Sequence, residues 1–192
     1  MTAGWHDASV TDRAARYLAH LDRLSGGSAR EALHVPSGRP GRKGVTVLRY
    51  PDLPPGLSTA LTYGLSLGDH PDWTYARPEL CLSMRSQDPA WARMAGQIAE
   101  DLAGECPFMP GDTIDVGEPI VDGTRMTAFL IAAPAVVEGP DARVELGDDD
   151  LVVLAGLYPI HETEQEFVRT RGLEAFLRLP RDPYDPSRLP AV

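Results

Sequence analysis

The chain has 192 residues, 43% of them hydrophobic, and a formal net charge of −10. That size supports one well-buried domain over residues 1–192 and gives no reason to expect a second. The longest apolar stretches, residues 128–133 and 151–157, are too short to cross a bilayer.

Three further features bear on where the protein works and what it meets. The N-terminus shows no basic segment followed by an apolar run, so no secretory signal is visible. Cys81 and Cys106 sit far apart in unlike contexts, which makes neither a disulfide framework nor a metal motif. A reduced, cytoplasmic protein is the expectation. The charge is uneven: residues 1–100 carry eleven basic and ten acidic side chains, whereas residues 101–192 carry seven and eighteen. Such an acidic surface disfavours nucleic acid and anionic membrane and favours encounter with a basic partner. Acidity can also serve solubility alone.

Thr11 to Leu24 reads as a helix, with Val10, Ala14, Tyr17, Leu18, Leu21 and Leu24 on one stripe and Gly26 and Gly27 after its end. Residues 36–44 read as a mobile, exposed loop rich in glycine, proline and positive charge. Val45 to Tyr50 and Ser58 to Ser66 are expected to form a β-hairpin around Pro54-Pro55-Gly56. Glu79 to Met84 alternates, Leu80, Leu82 and Met84 facing one way and Glu79, Cys81 and Ser83 the other.

A helix is expected from Pro89 to Ala103, capped by Asp88, stopped by Gly104, and burying Trp91, Met94, Ala95, Ile98 and Leu102. Thr113-Ile114 and Thr127 to Ala132 read as strands. Leu151 to Leu157 reads as a strand covered on both faces. Thr163 to Glu166 fits a capping box opening a helix that ends near Arg171, and a second short helix runs from Leu173 to Leu179. The Pro-rich tail, residues 181–192, is expected to be extended or mobile.

Each candidate site competes with a structural reading. His161 with its neighbouring carboxylates invites a metal, but the His-Glu-x-x-His pattern is missing because position 165 is Gln. The capping box explains Glu164 and Glu166 without metal. The acidic run Glu145, Asp148, Asp149 and Asp150 lacks calcium-loop spacing and reads as a solvated loop before the Leu151 strand. It is also a candidate partner-facing patch. Residues 37–44 lack the Gly-Lys-Ser/Thr of a phosphate loop. Ser66 and Ser83 lie in no Gly-x-Ser-x-Gly elbow, and Cys81 reads as a buried structural thiol. Tyr63 and Trp73 bracket a turn, where aromatics serve as interface anchors or as lids over a core. No catalytic residue, metal or cofactor is assigned.

Three segments taken together carry a family resemblance. They are Thr62-Tyr63-Gly64-Leu65-Ser66, then Arg77-Pro78-Glu79-Leu80-Cys81-Leu82-Ser83, then Pro159-Ile160-His161 followed by Glu164, Phe167 and Gly172. Their order, with an amphipathic helix around Trp91 between the second and third, resembles the suppressor of fused family over about Val45 to Leu179. The resemblance implies an α+β fold, a mixed or mostly antiparallel β-sheet with helices packed on it, and a binding protein rather than an enzyme. Animal members sequester zinc-finger transcription factors. Bacterial members are mostly single-domain, many of them proposed immunity proteins of polymorphic toxin systems. The function expected on this basis is neutralisation of a cognate basic toxin domain by direct binding. An endogenous regulatory or stress adaptor is the alternative, and a metal-dependent hydrolase using His161 is a third reading.

Overall fold

The computed structural model describes residues 5–137, 139–147 and 150–192, with only the backbone for residues 5–11. Among them, four α-helices accompany eight strands in one mixed, mostly antiparallel sheet. The helices are α1 (Trp5–Leu24), α2 (Ala90–Asp101), α3 (Glu162–Arg171) and α4 (Leu173–Leu177). The strands are β1 (Glu31–Val35), β2 (Val45–Tyr50), β3 (Ser58–Tyr63), β4 (Arg77–Met84), β5 (Thr113–Asp115), β6 (Ala128–Ala132), β7 (Arg143–Gly147) and β8 (Asp150–Ile160).

The strand order is β1-β2-β3-β4-β8-β6-β5, with β7 also paired to β8. The expected hairpin is β2–β3, in antiparallel register from Thr46 opposite Tyr63 to Tyr50 opposite Thr59. The β4–β8 pair is parallel, Arg77 opposite Val152 through Cys81 opposite Gly156. On its other edge β8 pairs first with β7, up to Val153, and then with β6 from Gly156 onward. The sheet is therefore split along that edge. The split positions the cavity described below.

Both faces of the central strands are covered, which is why residues 151–157 of β8 read as an apolar run. On one face Trp91, Ala95 and Ile98 of α2 pack on Val45, Val47, Leu80, Leu82 and Leu157. On the other, Tyr17 and Leu21 of α1 pack with Leu48, Tyr50, Leu61, Cys81 and Leu154. A third cluster joins Ala128, Leu130 and Ile160 to Val168 and Phe176. The alternation expected in β4 holds: Leu80, Leu82 and Met84 enter the α2 core, and Cys81 faces the α1 side. Asp88 serves α2 as expected, its Oδ1 accepting from the Ala90 N–H at 2.9 Å.

Five local expectations need correction. The first helix begins at Trp5, ahead of Thr11. Residues 36–44 are tethered rather than loose, because Arg39 donates to the Ala103 and Asp101 carbonyls (2.8 and 2.6 Å) at the C-terminus of α2, where a cation complements the helix dipole. Two strands went unread: β1, short and mostly exposed, and β7, whose alternation (Val144 and Leu146 in, Glu145 out) lies inside what reads as an acidic loop. The cap of α3 is His161 rather than Thr163, and Glu164, not Glu166, reaches back to it. The C-terminal tail is anchored, as the next section shows.

Candidate functional site

The first two motif segments build one buried corner. Glu79 of β4 is fully buried, and its carboxylate accepts from the Thr62 hydroxyl (2.6 Å), the Gly64 N–H (2.8 Å), and the N–H and hydroxyl of Ser66 (3.0 and 2.6 Å). Thr62 in turn accepts from the Leu80 N–H at 2.8 Å. Gly64 has φ 134°, and a side chain there would lie 2.7 Å from the Gly44 carbonyl, so only glycine fits the exit from β3. Arg77 closes the following loop through Asp69 at 3.0 Å and the Ser66 carbonyl. Burying a carboxylate is tolerable when its lone pairs are filled this way.

The third segment is a second buried corner. Glu164 accepts both terminal nitrogens of Arg188 at 2.6 Å, the His161 N–H at 2.9 Å and the Ala191 N–H at 2.9 Å. Arg188 also donates to the Pro159 carbonyl at 3.1 Å, and a ring nitrogen of His161 meets the Arg188 carbonyl at 3.0 Å. This pair fixes the tail that the sequence reads as loose. Burial would raise the Glu164 carboxyl, yet Arg188 and the two amides hold it below its ordinary value. Phe167 packs toward Phe176, ring centroids 6.4 Å apart. Gly172 at φ 82° separates α3 from α4. Glu79 and His161 share no partner, and no grouping of His, Cys, Asp and Glu able to hold a metal occurs among the described residues.

Among the described residues singled out as partner contacts, Tyr63 and Trp73 belong to the cores on opposite faces of the sheet. Tyr63 packs on Tyr17 at 5.2 Å between centroids, with Arg13 over its ring. Arg13 also binds Asp150 (2.7 and 3.2 Å) and the Ser66 hydroxyl (3.0 Å), so Asp150 is bound inside the molecule. Glu145 points outward from β7. Asp148 and Asp149 lie outside the described residues. Trp73 is half-buried against the α2 core and donates its indole N–H to the Pro107 carbonyl at 2.9 Å.

The sequence does not reveal one concavity formed by the described residues. A cavity of about 560 Å³ opens where β6 ends and β7 begins, a volume in the usual range for binding clefts. Its floor includes Pro78, Ile131, Val153 and Ala155, and Phe108 and Met109 form one wall. Trp73 fixes that wall through Pro107. Tyr158 fixes the opposite one, donating to the Ala133 carbonyl and accepting from the Ala135 N–H, each at 2.8 Å. Tyr75, 92% exposed, and Met109, 51% exposed, stand on the rim. A smaller polar cavity of about 330 Å³ lies between β5 and α3, lined by Asp115, Glu162, Glu166 and Arg169 among others.

The family model for suppressor of fused protein (SUFU) matches residues 41–189. The chain belongs to the suppressor of fused family. Among solved structures it is similar to a SUFU homologue from Neisseria gonorrhoeae FA 1090, at 21% identity and TM-score 0.73, over 95% of this chain and 98% of that one. It is also similar to a chain of the Sufu–Fu complex, at 11% identity and TM-score 0.68, over 92% and 91%. Drosophila suppressor of fused matches at 14% identity and TM-score 0.65 over 91% of this chain, which spans half the length of that protein. A search of curated proteins found no match. At these identities the structures establish the fold, as the sequence segments lead one to expect.

Proposed function

We propose that this chain is a protein-binding module, and specifically a bacterial immunity protein that occludes a cognate toxin domain in the cytoplasm. The binding reading is carried by the family to which the chain belongs, one of whose structures is a Sufu–Fu complex. The immunity reading rests on charge. Residues 101–192 carry a net −11, suited to steering toward a basic partner such as a nuclease. Neither nucleic acid, membrane nor cofactor is part of this reading. The two buried corners support a structural role for the family motif rather than catalysis. Glu79 and Glu164 have their oxygens filled by the protein's own donors, and His161 is committed to the tail.

The test is co-expression with the domain encoded immediately upstream. Immunity predicts that the neighbour kills alone and that this chain restores growth and co-purifies with it. A harmless neighbour, or a toxic one neither bound nor rescued, removes the immunity reading and leaves an endogenous adaptor.

A further inference from the structure

We propose that the polar cavity of about 330 Å³ between β5 and α3 binds a small guanidino acid, its guanidinium held by Asp115, Glu162 and Glu166 and its carboxylate by Arg169. The inference goes beyond the protein-binding reading and does not depend on it.

The register of α3 explains the lining. Glu162, Gln165, Glu166 and Arg169 follow one another at helical spacings on one face, and Asp115 at the end of β5 lines the same space. The volume is that of a small-molecule site. Gln165 points to a ligand. It is only 3% exposed, yet its amide makes one weak contact, Nε2 to the Thr113 hydroxyl at 3.5 Å. Its oxygen accepts from no donor among the described residues, although a buried amide oxygen has two lone pairs to fill. Since that oxygen is not sealed inside the protein and Gln165 lines the cavity, it faces the cavity. A donor-rich ligand there fills it.

Charge gives the ligand its class. Asp115, Glu162 and Glu166 make no ion pair among the described residues, and the Asp115 carboxylate accepts only the Gly117 N–H, at 3.0 Å. Glu162 suits the first turn of a helix. Glu166, one turn on, faces it as a like charge with nothing to offset the repulsion. A bare metal ion is not the answer, because it needs oxygens converging on one point, and no grouping able to hold one occurs among the described residues. A guanidinium spreads five N–H donors over a plane, so it reaches carboxylates on two elements and the Gln165 oxygen together. Arg169 is exposed and also unpaired among the described residues, leaving its planar fork to a carboxylate. It stands two turns from Glu162, about 10 Å along the helix axis. The lining thus runs from negative to positive, and a ligand cationic at one end and anionic at the other matches it.

Titration calorimetry on the full chain tests this, with L-arginine, agmatine, L-lysine and N-acetyl-L-argininamide as probes. L-Arginine is expected to bind saturably at one site per chain, with Kd of about 1 mM or tighter. Agmatine keeps the guanidinium without the carboxylate and should bind at least tenfold more weakly, as should L-lysine. Arg169→Glu, at an exposed position, should weaken L-arginine at least tenfold and reverse the preference in favour of agmatine. A reversed preference cannot come from unfolding. Glu166→Gln should weaken both ligands. The proposal is overturned if L-arginine fails to saturate, if agmatine or L-lysine binds as tightly, or if Arg169→Glu leaves the affinity unchanged. Displacement of L-arginine by magnesium overturns it in favour of a metal site. Equal affinity for N-acetyl-L-argininamide, which resembles an arginine within a protein, overturns it in favour of a partner's side chain.

Discussion

Glu164 shows how much a single buried carboxylate can organise. Its pairing with Arg188, side chains 0% and 6% exposed, joins the start of α3 to the chain's end. Breaking such a pair from one side strands a charge, at a cost of about 3–5 kcal/mol. Glu164→Gln should therefore lower the urea midpoint strongly, and pairing it with Arg188→Met should recover part of the loss. Its pH dependence has a definite sign. The folded carboxyl lies below its ordinary value, so its contribution is complete above the unfolded value of about 4.3. That contribution is lost as pH falls through the depressed folded value. The protection factors of the Arg188, Leu189 and Ala191 amides should fall on acidification ahead of those in the central strands. The thiols make a second test. Burial pushes Cys81 up to about 12, whereas Cys106 is only half-buried. Mass spectrometry after iodoacetamide at pH 8 should find Cys106 modified in the native protein and Cys81 modified only in denaturant.

At the scale of elements, α2 lies unusually close to the sheet. A side-chain carbon at Gly96 would fall 2.6 Å from Val47 Cγ2 and 2.7 Å from Val35 Cγ2. Helix propensity alone favours alanine there by about 1 kcal/mol. Overpacking costs about 1–3 kcal/mol, and the atoms met are methyls of two buried β-branched valines rather than the ends of flexible side chains. Gly96→Ala should thus destabilise, and thermal unfolding will give the sign; a rise in Tm would mean the strands yield. The helix was legible from its apolar stripe and its Asp88-Pro89 start, because both signals are local. The strands β1 and β7 were not legible. Each is short: β1 is mostly exposed, and β7 has only two buried positions, too few periods to stand out beside an acidic run. The cap of α3 was misplaced by two residues because Thr163 and Glu166 match the usual Ser/Thr-x-x-Glu pattern and histidine does not. Glu164, the residue that does reach back, is also held by Arg188, 24 positions away.

For the whole molecule, charge gives the decisive prediction. Association with a basic toxin domain should slow about tenfold between low salt and 0.5 M, while dissociation changes little. Reversing Glu145, Asp148 and Asp149 to arginine should lower the association rate if this acidic run of the sequence guides encounter. Asp150 should be left intact, since reversing it also breaks its ion pair with Arg13. Stopped-flow kinetics over a salt series measures both; a salt-independent rate would remove electrostatic steering from the mechanism.

The sequence by itself determined the α+β class, the family, most central elements and the acid bias, because apolar periodicity, short motifs and charge are local or additive properties. Only the tertiary structure decided what the motif residues do. Thr62, Ser66 and Glu79 become one hydrogen-bonded corner because β3 and β4 are neighbours, and His161 and Glu164 become an anchor because the tail returns to them. The larger cavity too is tertiary. It exists because β8 exchanges one partner strand for another partway along its edge, and no stretch of sequence records a gap between strands.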